Sequence, residues 1–289
     1  RYIKFYLMNP ITENIIEQST IEILQSQGWE YVYGTDIAPE GVRCERENYQ
    51  QIILTERLRR AVAGINPHIP ADAREAAIQK VLRIASPELL HNNEEFHRLL
   101  IEKVKIPYQQ NGYERSHEVA LIDFENPSNN QFLVVNQYTI IENNQPKRPD
   151  VLLFVNGIPL VVIELKNAAD EKATIRTAYN QLQTYKHSIP SLFTYNAICI
   201  ISDGLECRAG SVSADLSRYM AWKTSDGLHT ASRFQPQLET LLCGILQPVT
   251  LLDLVRNFIV FEESKKVDTT TGVIQVVTEK KLAAYHQYY

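Results

Sequence analysis

Residues 148–166 read Arg148-Pro149-Asp150-Val151-Leu152-Leu153-Phe154-Val155-Asn156-Gly157-Ile158-Pro159-Leu160-Val161-Val162-Ile163-Glu164-Leu165-Lys166. Two apolar runs of strand length flank Asn156-Gly157, a strong hairpin signal, and three charged residues punctuate their ends. Burying an unpaired carboxylate costs several kcal/mol, so packing alone gives no reason for Asp150 and Glu164 in so apolar a hairpin. A divalent cation shared by both acids would offset that cost. The alternative is a surface ion-pair cluster on an edge hairpin.

Strand parity decides whether the acids can share a site. Glu164 and Lys166 are two apart and project to one face. A two-residue turn at Asn156-Gly157 opposes Asp150 to Ile163 and leaves Glu164 on the wrong face. A three-residue loop, Asn156-Gly157-Ile158, sets Asp150 directly across from Glu164. A shared site therefore predicts the odd loop, with Gly157 in the left-handed region as a bulge. The two carboxylates and the backbone carbonyl of Leu165 would then supply hard oxygen ligands for Mg²⁺. Lys166 is placed to orient or deprotonate a water, or to stabilise charge building on a phosphorus.

Outward from this hairpin, residues 116–124, 131–140, 150–155 and 159–166 read as short strands of an antiparallel meander, separated by turns such as Asn126-Pro127-Ser128-Asn129-Asn130. A helix is predicted over 170–187, then strands at 197–202 and 206–210. The amino-terminal third reads as mostly helical, over 12–27 with Thr12 as cap and Gly28 as stop, then 51–63, 72–85 and 92–102. Residues 236–245 and 249–257 read as helices, and 262–271 as a linker or exposed hairpin. His91, Glu94, Glu95 and His97 lack the H-E-x-x-H spacing of a zinc helix and read as a helix start.

With 289 residues and 44% apolar side chains, the chain can bury one large domain or two small ones, which excludes disordered and disulfide-scaffold classes. The apolar stretch 151–165 is broken by Asn156-Gly157 and Pro159, so no membrane span is expected, and residues 1–10 contain no signal-peptide core. Cys44, Cys199, Cys207 and Cys243 show no zinc spacing and read as buried thiols of a reducing compartment, the cytoplasm. The net charge of -5 means that contact with a polyanion has to be local.

Pro149-Asp150, thirteen intervening residues and Glu164-Leu165-Lys166 resemble the PD-(D/E)xK nuclease signature. Gln181-Leu182-Gln183-Thr184-Tyr185 matches the Q-x-x-x-Y motif that follows in RecB-like members, and its i, i+4 spacing puts both end residues on one helical face. The wider text is similar to the restriction (R) subunit of type I restriction-modification enzymes. The similarity covers Gly28-Trp29-Glu30-Tyr31, Leu121-Ile122-Asp123-Phe124, Val135-Asn136-Gln137-Tyr138, Asn156-Gly157-Ile158-Pro159-Leu160, Glu164-Leu165-Lys166-Asn167, Ile201-Ser202-Asp203-Gly204 and Trp222-Lys223.

This resemblance implies an α/β fold with a PD-(D/E)xK nuclease core, a mixed, partly antiparallel sheet flanked by helices, plus an amino-terminal helical part. Residues 1–107 would form that part with its first helix packed on the core, 108–261 the core and following helices, and 262–289 a linker into a motor domain beyond Tyr289. The implied activity is Mg²⁺-dependent endonucleolytic hydrolysis of double-stranded DNA, after translocation that uses ATP in the full-length protein only. Separate methylation (M) and specificity (S) subunits would be partners.

Asp150 and Glu164 would hold the metal, Lys166 would be catalytic, and Gln181 and Tyr185 would seat the metal site or the DNA backbone. Glu17 matches the place from which a first-helix glutamate reaches the metal; a solvated glutamate beside Glu13 and Glu22 is the alternative. Lys147, Arg148, Arg176 and Lys186 are candidate DNA contacts. Gln287 would help read adenine in the full-length protein, yet no glycine precedes Lys and Ser/Thr as a P-loop needs, so this chain alone is not expected to bind ATP tightly. A stand-alone RecB-like repair nuclease, lacking a motor-entry segment like 281–289, and a non-catalytic docking module are alternatives. A small-molecule hydrolase is disfavoured, since no Ser or Cys pairs with His.

Overall fold

The computed structural model describes residues 13–167, 174–232, 234–267 and 274–289. In chain order the elements are α1 (Glu13–Ser26), β1 (Glu30–Tyr33), α2 (Thr55–Ile65), α3 (Ala71–Leu82), α4 (Leu89–Glu102), β2 (Val104–Gln110), β3 (Tyr113–Val119), β4 (Phe132–Asn136), β5 (Ile140–Glu142), β6 (Gln145–Lys147), β7 (Val151–Val155) and β8 (Ile158–Leu165). They continue with α5 (Ile175–Ser188), α6 (Pro190–Thr194), β9 (Ile198–Ser202), β10 (Cys207–Gly210), α7 (Gln237–Ile245), α8 (Pro248–Asn257), β11 (Ile259–Val267), β12 (Ile274–Leu282) and α9 (Tyr285–Tyr288).

Six strands form one mixed sheet in the order β1-β4-β7-β8-β9-β10. Strands β4, β7 and β8 are antiparallel neighbours, β1 joins β4 in parallel, and β9 joins β8 in parallel after the α5 crossover. Every residue of β4, β7, β8 and β9 is buried, so these strands read as continuous apolar runs rather than alternating ones. Helix α1 packs on β1, β8 and α7, while α5 lies over β8 and β9. One hydrophobic cluster runs from Ile16 to Ile259.

The predicted three-residue loop is not formed. Val155 pairs with Ile158 across a two-residue turn whose central residues are both left-handed, Asn156 at φ 53° and Gly157 at φ 81°. That is the turn Asn-Gly favours. Parity is corrected deeper in the hairpin: Phe154 pairs with Pro159, but Leu153 pairs with Val161, leaving Leu160 as a bulge. The bulge follows Pro159, which has no N–H for the ladder. The turn is itself buried. Asn156 bonds the Leu121 carbonyl, Asn130 Oδ1 and the Gln131 backbone, and the Leu54 N–H donates to the Gly157 carbonyl at 2.9 Å.

Other expectations shift. The mostly helical first third also contributes edge strand β1, too short to show periodicity. The 131–140 run splits into β4 and β5 at Gln137, whose φ is 54°, and the expected 116–124 strand ends at Val119. The mixed sheet is the one the family resemblance implies, with β4, β7 and β8 as its antiparallel meander; of the strands expected in that meander, β3 instead pairs with β2 outside the sheet. Residues 262–271 belong in part to the β11–β12 hairpin; 268–271 lie outside the described residues, as do residues 1–10, Thr12 and the predicted helix start at 170–173. Cysteines 199 and 207 are buried, but Cys44 is exposed and Cys243 half-buried. No single described helix is long and apolar enough to cross a membrane.

A Cβ on Gly157 would lie 2.5 Å from the Leu54 carbonyl oxygen. Gly157→Ala is therefore expected to destabilise by roughly 2 kcal/mol or more, left-handed strain adding to the clash. Urea denaturation measures this, and an unchanged midpoint would contradict the turn described.

Candidate active site

The bulge brings the sequence-predicted residues together. Val151 pairs with Ile163, and the next step along both strands sets Asp150 across from Glu164. Asp150 Oδ2 accepts the Leu165 N–H at 2.7 Å. The Lys166 backbone N–H donates to the Ser202 carbonyl at 2.8 Å, extending the β8–β9 ladder and fixing the strand end. The Lys166 ammonium donates to Glu164 Oε1 at 2.7 Å and to the Leu165 carbonyl at 3.0 Å, and lies 3.7 Å from Glu13 Oε1.

Helix α5 starts on a capping box formed by Thr174 and Thr177 and directs Tyr185 toward the same place. The Tyr185 hydroxyl donates to the Arg148 carbonyl at 3.2 Å, and Gln181 lies one turn earlier within reach of that hydroxyl. Burial and the neighbouring Glu164 push the Tyr185 hydroxyl well above the usual tyrosine range. It stays protonated.

Electrostatically the pair is short of positive charge. Burial raises the pKa of Asp150, outweighing the Leu165 N–H and Lys166. Burial and the adjacent Asp150 raise that of Glu164, although Lys166 opposes the shift. Glu164 is 1% exposed, and its Oε2 is buried with no hydrogen-bond partner. Burial works against the Lys166 charge, but Glu164, Asp150 and Glu13 outweigh it and hold its pKa up.

Glu17 is placed differently from the expectation. Asn136 Nδ2 donates to its Oε1 at 2.6 Å and Gln137 Nε2 to its Oε2 at 3.3 Å, so both oxygens are engaged. It still acts on Asp150 through space. Among the described residues no three Asp, Glu, His or Cys side chains converge as a metal cage, and the set is the pair Asp150 and Glu164 with the Leu165 carbonyl beside them. An orphaned buried carboxylate oxygen and two acids with raised pKa fit a divalent cation, which commonly binds through one or two carboxylates and keeps its waters.

Of the candidate DNA contacts, Arg148 and Arg176 are exposed and Lys147 is half-buried on β6. Lys186 is not displayed: it is half-buried against Gln183 and the Tyr179 ring, and burial lowers its pKa. Gln287 accepts the Ala284 N–H in α9. His97, in the expected helix, is buried and pushed down to about 3, mainly by burial. Sequence reading missed Glu13, whose i, i+4 spacing to Glu17 was the available signal. It also missed the latch on Glu17 in which Asn136 Oδ1 accepts the Tyr31 hydroxyl at 3.0 Å; its only trace is a polar Asn136-Gln137 pair ending an apolar run.

Residues 10–218 match the family described as type I restriction enzyme R protein N terminus. The chain is 42% identical over 282 residues to the type I restriction enzyme HindI endonuclease subunit of Haemophilus influenzae, covering 96% of this chain and 26% of that protein. It is 31% identical over 274 residues to the putative type I restriction enzyme MjaIXP endonuclease subunit of Methanocaldococcus jannaschii, covering 88% of this chain and 26% of that protein. It is also 27% identical over 266 residues to the type I restriction enzyme EcoprrI endonuclease subunit of Escherichia coli, covering 88% of this chain and 76% of that protein. The chain thus spans about a quarter of the length of the first two relatives. By the family match over most of its length and by these identities, the chain belongs to the amino-terminal family of type I restriction enzyme R proteins.

Proposed function

We propose that this chain carries the endonuclease site of a type I restriction enzyme R subunit and hydrolyses DNA phosphodiester bonds with Mg²⁺. The observation that carries the reading is the bulge-set pair of acids, half-buried Asp150 and buried Glu164, with Lys166 on one Glu164 oxygen and the other buried, the Tyr185 hydroxyl lying beside the carboxylate. Asp150, Glu164 and the Leu165 carbonyl would hold the cation. When bound, Mg²⁺ supplies Lewis-acid polarisation of the phosphoryl group and activation of water. Lys166 would orient or deprotonate the attacking water, or stabilise the charge building on the phosphoryl group. Tyr185 and Gln181 support the Arg148 segment, from which Arg148 and Lys147 reach the DNA backbone, with Arg176 on α5. ATP-driven translocation would belong to the full-length protein, and target recognition to M and S subunits.

The -5 charge fits this division of labour, because three carboxylates, Glu13, Asp150 and Glu164, act on the one ammonium of Lys166, and Glu17 adds its charge at Asp150. The chain alone is expected to bind DNA without sequence preference and no tighter than the ~10⁻⁴ to 10⁻⁶ M typical of non-specific contact at physiological salt. A fluorescence-anisotropy titration checks this, and nanomolar binding would contradict it.

In the complex reassembled with M and S subunits, Lys166→Ala is expected to cut DNA cleavage by about 10²-fold or more while ATPase is retained. Asp150→Ala with undiminished cleavage would instead favour the docking-module reading. Without metal, Asp150 and Glu164 ionise less readily folded than unfolded. Their contribution to stability is thus full below pH ~4 and is lost as pH rises through the raised folded values. In EDTA between pH 5 and 8, wild type should lose stability relative to Glu164→Gln by of order 1 kcal/mol or more, and Mg²⁺ should reverse the loss in wild type only. Urea midpoints at the two pH values read it; parallel pH curves would contradict it.

A further inference from the structure

The β11–β12 hairpin carries a fully buried lysine amine that the proposed chemistry does not use. Lys280 on β12 is 2% exposed, and its ammonium donates to Asn93 Oδ1 at 2.9 Å and to the Asn196 carbonyl at 2.7 Å. These described partners are neutral oxygens. Its backbone is gripped as well, the N–H donating to Ser213 Oγ at 2.7 Å and the carbonyl accepting from Ser211 and Ser213. Burial pushes Lys280 down to about 7. A packing role would be better filled by an apolar side chain of similar length, since a buried charge without a counter-ion costs stability.

The other end of this contact is the catalytic hairpin. Asn196 lies in the α6–β9 connection and is itself buried, and Asn93 of α4 also holds its carbonyl at 2.8 Å. The Asn196 side chain donates to the carbonyl of Leu160 at 3.3 Å, and the next residue, Ala197, donates its N–H to the same oxygen at 2.7 Å. Leu160 is the bulge residue. A continuous set of hydrogen bonds therefore runs from β12 through Asn196 to the one irregularity that sets Asp150 across from Glu164.

We propose that Lys280 is a positioning residue that ties the β11–β12 hairpin, through Asn196, to the Leu160 bulge and so holds the register of the acidic pair. The functional consequence rests on the nuclease reading above; the coupling itself does not. Undocking of the hairpin would loosen the bulge and be felt at Glu164.

The test compares the full chain as wild type, Lys280→Met and the control Lys281→Met, whose exposed side chain pairs with Glu262 on the hairpin surface. Hydrogen exchange is followed in peptides covering β8, with β4 as the internal reference for global stability, and Mn²⁺ binding is measured by calorimetry. Lys280→Met should raise exchange in β8 about tenfold beyond any change in β4 and weaken Mn²⁺ binding about tenfold, with Lys281→Met like wild type. Added exchange confined to β11 and β12, with β8 and Mn²⁺ affinity unchanged, would overturn the proposal and leave Lys280 as a hairpin anchor. If Lys280→Met does not fold, Ser213→Ala, which removes the hydroxyl that grips the Lys280 backbone and leaves Asn93 and Asn196 intact, is read the same way. Absence of Mn²⁺ binding in wild type would count against the nuclease reading, while the exchange comparison would still decide the coupling.

Discussion

A single extra residue, Leu160, governs what the central hairpin can do. Side chains alternate faces along a strand, so one inserted residue moves everything beyond it to the opposite face. Between turn and bulge, β7 and β8 pair as the Asn-Gly turn dictates; past the bulge, Asp150 and Glu164 come onto one face. Neither acid could reach the other from an unbroken two-residue hairpin. The bulge is held on its far side by Ala197 and Asn196, and the turn is sealed by Asn156 and the start of α2, so the register is clamped at both ends.

The site built on that register is electrostatically unbalanced in the absence of a cation. Glu164 is buried near the end of a fully buried strand with half-buried Asp150 across from it, and one ammonium, Lys166, satisfies only part of their oxygens. Desolvation raises the pKa of each acid, a pattern common among groups kept for chemistry rather than stability. Glu13 and Glu17 add further negative potential from α1, Glu17 being immobilised by Asn136 and Gln137. In the function proposed above, a cation between these carboxylates and an approaching polyanion would link the local chemistry to the acidic balance of the whole chain.

Function in this fold is assembled from separate parts of the chain. Helix α1 and edge strand β1 come from the amino-terminal third, while α5 packs on β8 and β9 and delivers Tyr185. The left-handed Gln137 ends β4 where the Glu17 latch is needed, a local conformational cost retained at a site whose geometry matters. Buried asparagines recur at these junctions, Asn93, Asn136, Asn156 and Asn196, because an amide can donate and accept at once where backbone groups would otherwise be orphaned.

What the sequence determined by itself was whatever depends on near neighbours. The apolar runs marked the central strands, the Asn156-Gly157 pair the turn, the Gln181/Tyr185 spacing one helical face, and the charges at the ends of an apolar hairpin the acidic pair. The Asn-Gly preference was followed in the structure, and the expected odd loop failed because parity was corrected four residues later, beside Pro159, where pattern alone gives no count of inserted residues. Only the tertiary structure decided the bulge, the edge position of β1, the engagement of Glu17, the inward turn of Lys186 and the burial of Lys280. Each is set by partners distant in the chain, such as Asn136 for Glu17 and Asn93 for Lys280, and no local periodicity records them.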